Sequence, residues 1–344
     1  MPTMLDEIRQ QPEAVARTLL EERAKVLEVA QRLRRYPPAQ AIIGGRSTSA
    51  FAGVYGRFAL ETICGLPTAL APLSVYTMYR RTPRIEDALV VGISQSGEAT
   101  DVIEMLRAAR KAGALTLAIT NEAGSPIASA AEYTLLTHAG RERAVAATKT
   151  YTTSMALLLM LAVAIKGASG LDALEQIPPA MEQTLKLEQV IPGLVQRYRY
   201  APTIVTVGRG FQEANARETA MKIQETCCLP TQAWSAAEFF HGPIALLSPG
   251  LPMLVFAPSG KTYSNCLALL RRLKKEGAET AVISDKPQAL DMASVRLPLP
   301  VSLPEAAAPL AAIIPAQLFA CHLATSRGCN PDQPPHVNKV TRTR

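Results

Sequence analysis

The chain has 344 residues, 48% apolar and 19% charged, enough for two domains of about 150 residues each and unlike a disordered or fibrous protein. Its formal charge of +7 comes from 36 basic and 29 acidic residues scattered in small groups without interleaved aromatics, so an anionic small substrate suits it and nucleic acid is not expected. Its six cysteines lack CxxC spacing, and the longest apolar run, residues 155–165, falls short of the roughly 18 needed to span a bilayer; reduced thiols, no metal site, no membrane segment and a cytoplasmic location are expected.

Residues 5–33 carry apolar side chains at Val15, Leu19, Leu20, Val26, Leu27 and Ala30, which predicts one or two helices in an N-terminal segment, 1–36. Tyr36-Pro37-Pro38 ends it. Ala41-Ile42-Ile43 then reads as a strand running into Gly44-Gly45-Arg46-Ser47-Thr48-Ser49, a hydroxyl-rich loop that opens a helix through Glu61. Further strands at 66–70, 89–93 and 115–120, each followed by a helix or loop, argue for a parallel sheet covered on both faces.

The densest signal is residues 88–101. An apolar run ends in Ser94-Gln95-Ser96-Gly97, and helical spacing (Val102, Ile103, Leu106, Ala109) follows over 98–110. Such a helix start aims unpaired N–H groups and a partial positive charge at the turn, whose natural occupant is a phosphate. A plain turn would need only one cap residue.

Gly45-Arg46 recurs as Gly208-Arg209, Ser96-Gly97 as Ser259-Gly260, and Lys111-Ala112-Gly113-Ala114 as Lys275-Glu276-Gly277-Ala278, at offsets of 163, 163 and 164. Landmarks held at one large offset predict duplicated domains. We expect two similar α/β domains at 37–170 and 195–330, a helical linker at 171–194, and a C-terminal tail at 331–344. Residues 155–187 read as helical, punctuated by Ile177-Pro178-Pro179. The copies differ where chemistry would sit: the second has Ala257-Pro258-Ser259, and proline has no N–H to offer an anion. A phosphate is therefore expected in the first domain only.

The stretch Ser94-Gln95-Ser96-Gly97-Glu98 resembles the phosphate loop of the sugar isomerase (SIS) family, and the resemblance extends over most of the chain. It implies two tandem flavodoxin-like domains, each a parallel sheet flanked by helices. Thr48, Ser49, Ser94, Gln95 and Ser96 are then phosphate-site residues. Two positions depart from the family: Ser47 stands where glycine is usual and Ala99 where serine or threonine is usual, with Thr100 a candidate substitute. Val145-Ala146-Ala147-Thr148-Lys149 is similar to the family's Val-Ala-Ser-Thr-Lys, which implies sugar contact through the backbone of Val145 and Ala146.

Taken alone, Lys222 and Glu225 are a one-turn helical pair and His241-Gly242-Pro243 a loop. Together with the 238–246 segment they resemble the isomerase half of the glucosamine-6-phosphate synthases. There the matching glutamate is the enolisation base, and the matching histidine assists ring opening from across a dimer interface. Glu218 matches an earlier glutamate; Gln224 departs from a second lysine. The tail, 330–339, reads by composition as a frayed proline-rich end, yet it is similar to a family ending whose lysine closes over the reactive carbons, and Lys339 matches that lysine. Pro335 and His336 replace the usual Arg-Asn.

These residue types suit a proton transfer between C1 and C2 of a hexose 6-phosphate without a cofactor or metal: Glu225 as base, His241 at the ring oxygen, and Lys222 or Lys339 as a cation or Schiff-base amine. The isomerase-like region begins almost at the first residue, which leaves no room for a glutaminase half. With Gly45-Arg46 in the first loop and Ser74-Val75-Tyr76-Thr77, the chain most resembles the glucosamine-6-phosphate deaminase branch, which implies conversion of glucosamine 6-phosphate to fructose 6-phosphate and ammonia. Another ketose–aldose isomerase or deglycase, and a sugar-phosphate sensor without turnover, are the alternatives. A homodimer is expected.

Overall fold

The computed structural model describes residues 3–339; the last five residues of the expected tail and the first two of the N-terminal segment lie outside them. The N-terminal segment forms three helices where one or two were expected: α1 (Thr3–Arg9), α2 (Gln11–Glu21) and α3 (Arg23–Arg35).

Five parallel strands, β1 (Gln40–Gly44), β2 (Thr68–Leu70), β3 (Ala88–Ile93), β4 (Leu115–Thr120) and β5 (Tyr133–Leu136), form one sheet in the order β2-β1-β3-β4-β5. Five more, β6 (Ile204–Gly208), β7 (Thr231–Ser235), β8 (Pro252–Phe256), β9 (Glu279–Ser284) and β10 (Val295–Pro298), form a second sheet in the order β10-β9-β8-β6-β7. Counted within each copy, the two orders are identical, so the repeat at one offset is a duplication of the whole sheet. β3 is buried along its full length, as its unbroken apolar sequence requires of a strand covered on both faces.

In the first sheet, β1 leads into α4 (Thr48–Ala59) and β3 into α5 (Thr100–Lys111). α4 stops short of the expected Glu61, because the chain widens into a π turn, Leu60–Cys64, that closes on Gly65. α6 (Lys149–Lys166) is apolar all round and almost wholly buried, which is why it shows no amphipathic stripe. Pro178 and Pro179 punctuate differently from expectation: they lie in the first turn of the helix Ile177–Leu185, where a missing N–H costs nothing.

In the second sheet, β6 leads into α7 (Gln212–Cys227) and β8 into α8 (Tyr263–Lys275). α9 (Ala308–Ser326) is long and apolar enough by composition to cross a membrane, yet it is a core helix, nearly all of it buried inside the protein. All six cysteines are unpaired.

By contact clustering the chain forms two compact units. Of the described residues, the front unit holds 13–142, 149–175 and 338–339, and the rear unit holds 3–12, 143–148 and 176–337. Residues 3–12 and the segment before α6 thus cluster with the second sheet.

Candidate active site

In the front unit Gly44 of β1 pairs with Gly92 of β3, so the loops leaving these two strands emerge side by side. This is the topological switch point of a 2-1-3-4-5 sheet, where ligands collect. One loop delivers Thr48 and Ser49 to the start of α4, and the other delivers Ser94, Gln95, Ser96 and Thr100 to the start of α5. Two helix N-termini and a set of neutral donors thereby share one edge.

The backbone of this edge is closely fixed. Ser94 N donates to Ile119 O at 3.0 Å, and the Gln95 carbonyl accepts Asn121 N at 3.1 Å and Thr120 Oγ1 at 3.3 Å. Gly97 turns with φ +68°, and a Cβ there would stand 2.2 Å from the Ser125 side chain. Glu98 N donates to Ser96 Oγ at 3.3 Å. Ala99 occupies the N-cap of α5 and makes no side-chain cap bond; the first turn is served instead by Asp101 Oδ1, which accepts Val102 N at 2.9 Å. Asp101 is fully buried, and its other oxygen takes Arg46 Nε, joining the two loops. Ser47 holds φ +53° and ψ −130°, a conformation natural to glycine.

The corresponding edge of the rear unit carries different chemistry. Ser259 N and Oγ donate to the two oxygens of Asp285, each at 2.6 Å, and Lys261 N and Thr262 N donate to Glu305 at 2.9 and 3.3 Å. Burial opposes charge on Asp285, but the hydroxyls of Ser259 and Ser302 and the Ser259 amide outweigh it and hold this carboxyl below its ordinary range. The duplicated loop is thus satisfied by the chain's own carboxylates.

α7 of the same unit presents the acid–base candidates. Lys222 is 1% exposed, with its Nζ 2.6 Å from Glu225 Oε2 and 3.5 Å from Glu218 Oε1. The sequence alone permitted a solvated pair; the structure shows a buried ammonium between two carboxylates. Glu218 is fully enclosed, whereas Glu225 keeps 19% of its side chain open. An ammonium held this way fixes the glutamate's orientation while leaving an oxygen for chemistry. Two residues on, burial pushes the Cys227 thiol up to about 12, which makes it a core residue and not a nucleophile.

His241 lies on an exposed segment, its backbone N–H donating to Glu238 O at 2.9 Å, with Phe240 and Leu246 also exposed. Val145 and Ala146 sit in the rear unit's 143–148 segment, half-buried and buried respectively. The Val145 N–H already donates to Asp332 O at 3.2 Å, so a backbone contact from Val145 to a sugar falls to its carbonyl. The Asp332 carboxylate also accepts Thr3 N and Met4 N, both at 2.7 Å, and the Glu7 carboxylate accepts the amides of Arg143 and Ala144. The tail that reads as frayed is therefore anchored at Asp332. In the front unit Lys149 is buried with Nζ donating to Arg141 O at 2.9 Å, and Lys339 Nζ lies 3.3 Å from Glu142 Oε2.

Asp101, Glu142, Asp332, Asp285 and Glu305 were not found by sequence reasoning. Each is a lone acid whose role comes from a backbone amide far along the chain or from one turn of helix, and no short spacing marks it. Asp101 alone left a trace, since an acid in the first turn of α5 is a cap signal.

The SIS domain family model matches residues 36–164 and 198–327. The chain is 32% identical over 347 residues to a glutamine–fructose-6-phosphate aminotransferase (isomerizing) of Thermococcus kodakarensis and 34% identical over 359 residues to one of Corynebacterium glutamicum. Each alignment covers 98% of this chain and 57% of the relative, so the chain spans little more than half the length of these relatives. A Silicibacter pomeroyi structure, provisionally named a phosphosugar isomerase, is 32% identical with TM-score 0.88 over 96% of this chain and all of that one. The C-terminal domain of glucosamine-fructose-6-phosphate aminotransferase from Francisella tularensis is 27% identical with TM-score 0.89, covering 97% and 98%.

Proposed function

The chain belongs to the SIS domain family, and on that premise we propose that it is a phosphosugar isomerase that moves one proton between C1 and C2 of a hexose 6-phosphate. The preferred substrate is glucosamine 6-phosphate, converted to fructose 6-phosphate and ammonia. The observation that carries the reading is Glu225: a partly open carboxylate clamped at 2.6 Å by a buried ammonium, on a chain whose first switch point is lined by neutral donors.

In this reading Thr48, Ser49, Ser94, Gln95, Ser96 and Thr100 hold the phosphate through hydroxyls, an amide and two helix N-termini. His241 protonates the ring oxygen as the sugar opens, supplied by a second copy of the chain; the exposed Phe240 and Leu246 beside it support an interface there. Glu225 takes the C2 proton, leaving an enolamine whose C1 oxygen is stabilised by Lys222 or Lys339, and returns the proton to C1. The resulting C2 imine adds water and expels ammonia, which leaves the ketone. Val145 and Ala146 line the sugar.

The test is to follow ammonia and fructose 6-phosphate from glucosamine 6-phosphate with wild type and Glu225→Gln. Both products from wild type, and neither from the variant, support the proposal. Isomerisation of hexose 6-phosphates without ammonia would move the substrate to another ketose–aldose pair. Tight sugar-phosphate binding with no turnover would make the protein a sensor.

A further inference from the structure

The front unit contains a buried acid that the reaction just described does not use. Glu142 stands between two exposed arginines, Arg141 and Arg143, yet its own side chain is fully enclosed. Its Oε1 accepts Thr150 N at 3.2 Å, and its Oε2 accepts Thr150 Oγ1 at 2.8 Å and Lys339 Nζ at 3.3 Å. Thr150 is in the first turn of α6, so the carboxylate is oriented by a helix N-terminus and a hydroxyl that themselves belong to a buried helix. A carboxylate withdrawn from water is costly unless it is paired as well as hydrogen-bonded, and Lys339 brings a cation to it.

The tail on the other side of the contact is anchored at Asp332, seven residues before Lys339, and belongs to no helix or strand. Residues 331–339 form only turns and irregular backbone. A lysine on such a segment would ordinarily spread over many rotamers, and confining it costs side-chain entropy. The Lys339 side chain is 25% exposed, so it is held at one end and still open to solvent.

We infer that Glu142 is the positioning residue of the tail lysine, fixing the Lys339 ammonium at one place so that substrate meets a pre-set cation. This rests on the proposed role of Lys339 in sugar turnover, but the Glu142–Lys339 coupling is testable without it. Glu142 touches no reacting atom; it acts through Lys339.

Two measurements decide the matter. First, Lys339 is labelled with an amine-acylating reagent and quantified by mass spectrometry in wild type, Glu142→Gln and Glu142→Asp. Labelling should rise several-fold in both variants, with the Asp variant guarding against a misfolded Gln one; unchanged labelling would overturn the inference whether or not the protein turns over glucosamine 6-phosphate. Second, kcat and KM are measured for Glu142→Gln, Lys339→Met and the double variant. Glu142→Gln should lower kcat by about ten- to a hundredfold with little change in KM, and should add almost nothing to Lys339→Met. Equal losses in both backgrounds would make Glu142 a purely structural residue and end the proposal. Absence of turnover in wild type would sink the functional reading, and the labelling result alone would then judge the coupling.

Discussion

The loop after β3 and the loop after β8 began as copies and have reached opposite states. After β8, Ser259, Lys261 and Thr262 spend their amides on Asp285 and Glu305. After β3, Asp101 is turned aside onto Arg46 and the Val102 amide. The matching glycines record the same divergence: a Cβ on Gly97 would meet the Ser125 side chain, whereas one on Gly260 would meet the Glu305 carboxyl at 2.5 Å. The duplicated loop is thus filled from within in the rear copy; under the proposed function the front copy is left to an external phosphate and α7 of the rear copy supplies the base.

Variants can break this contrast. The largest effect is expected at the front loop itself: Gly97→Ala meets both an unfavourable φ and a 2.2 Å contact, and should cost about 3 kcal/mol of stability in denaturant titration together with phosphate binding. Arg46→Ala leaves the buried Asp101 carboxylate without its cation; the pair is open on the arginine side, so about 2 kcal/mol is expected, again from chemical denaturation.

The rear loop can be probed by pH. Because the folded protein holds Asp285 below its usual range, the carboxylate stabilises the fold above the unfolded-state pKa of about 3.9, and this contribution fades as pH falls below it through the lower folded value. Asp285→Asn should therefore reduce stability near neutrality and flatten the acid side of a stability-versus-pH curve; an unchanged slope below pH ~4 would contradict the assignment. The smallest effect sharpens the contrast: Ser47→Gly relieves a left-handed backbone and should raise stability by at most about 1 kcal/mol, visible as a small rise in Tm.

Much of the architecture was legible in the sequence because duplication and strand burial are periodic signals. The run 88–93 suits a strand covered on both faces, which it forms, and the 163-residue offset carried over to two sheets of identical order. Helix boundaries were less legible: α1, α2 and α3 run on with one polar residue between each pair, and only local geometry separates them. Pro178 and Pro179 read only as punctuation because the sequence does not say on which side of a proline a helix lies. At the candidate site, hydroxyl density marked the front loop and helical spacing marked Lys222 with Glu225, but burial was invisible. Lys222 could have pointed to water; its enclosure follows from the packing of α7 within the rear unit. The anchoring of Asp332 on the first turn of α1 joins chain ends some 330 residues apart, which no local pattern encodes.

The central claim is that Glu225 shuttles a single proton on a sugar whose phosphate is held by the front unit. It is tested most directly by incubating wild type and Glu225→Gln with fructose 6-phosphate and ammonium in D2O and reading deuterium at C1 by NMR, with sugar-phosphate binding measured in parallel by calorimetry. The account predicts wash-in by wild type and a loss of at least about a hundredfold in the variant, with binding preserved. Exchange at the wild-type rate in Glu225→Gln would contradict it.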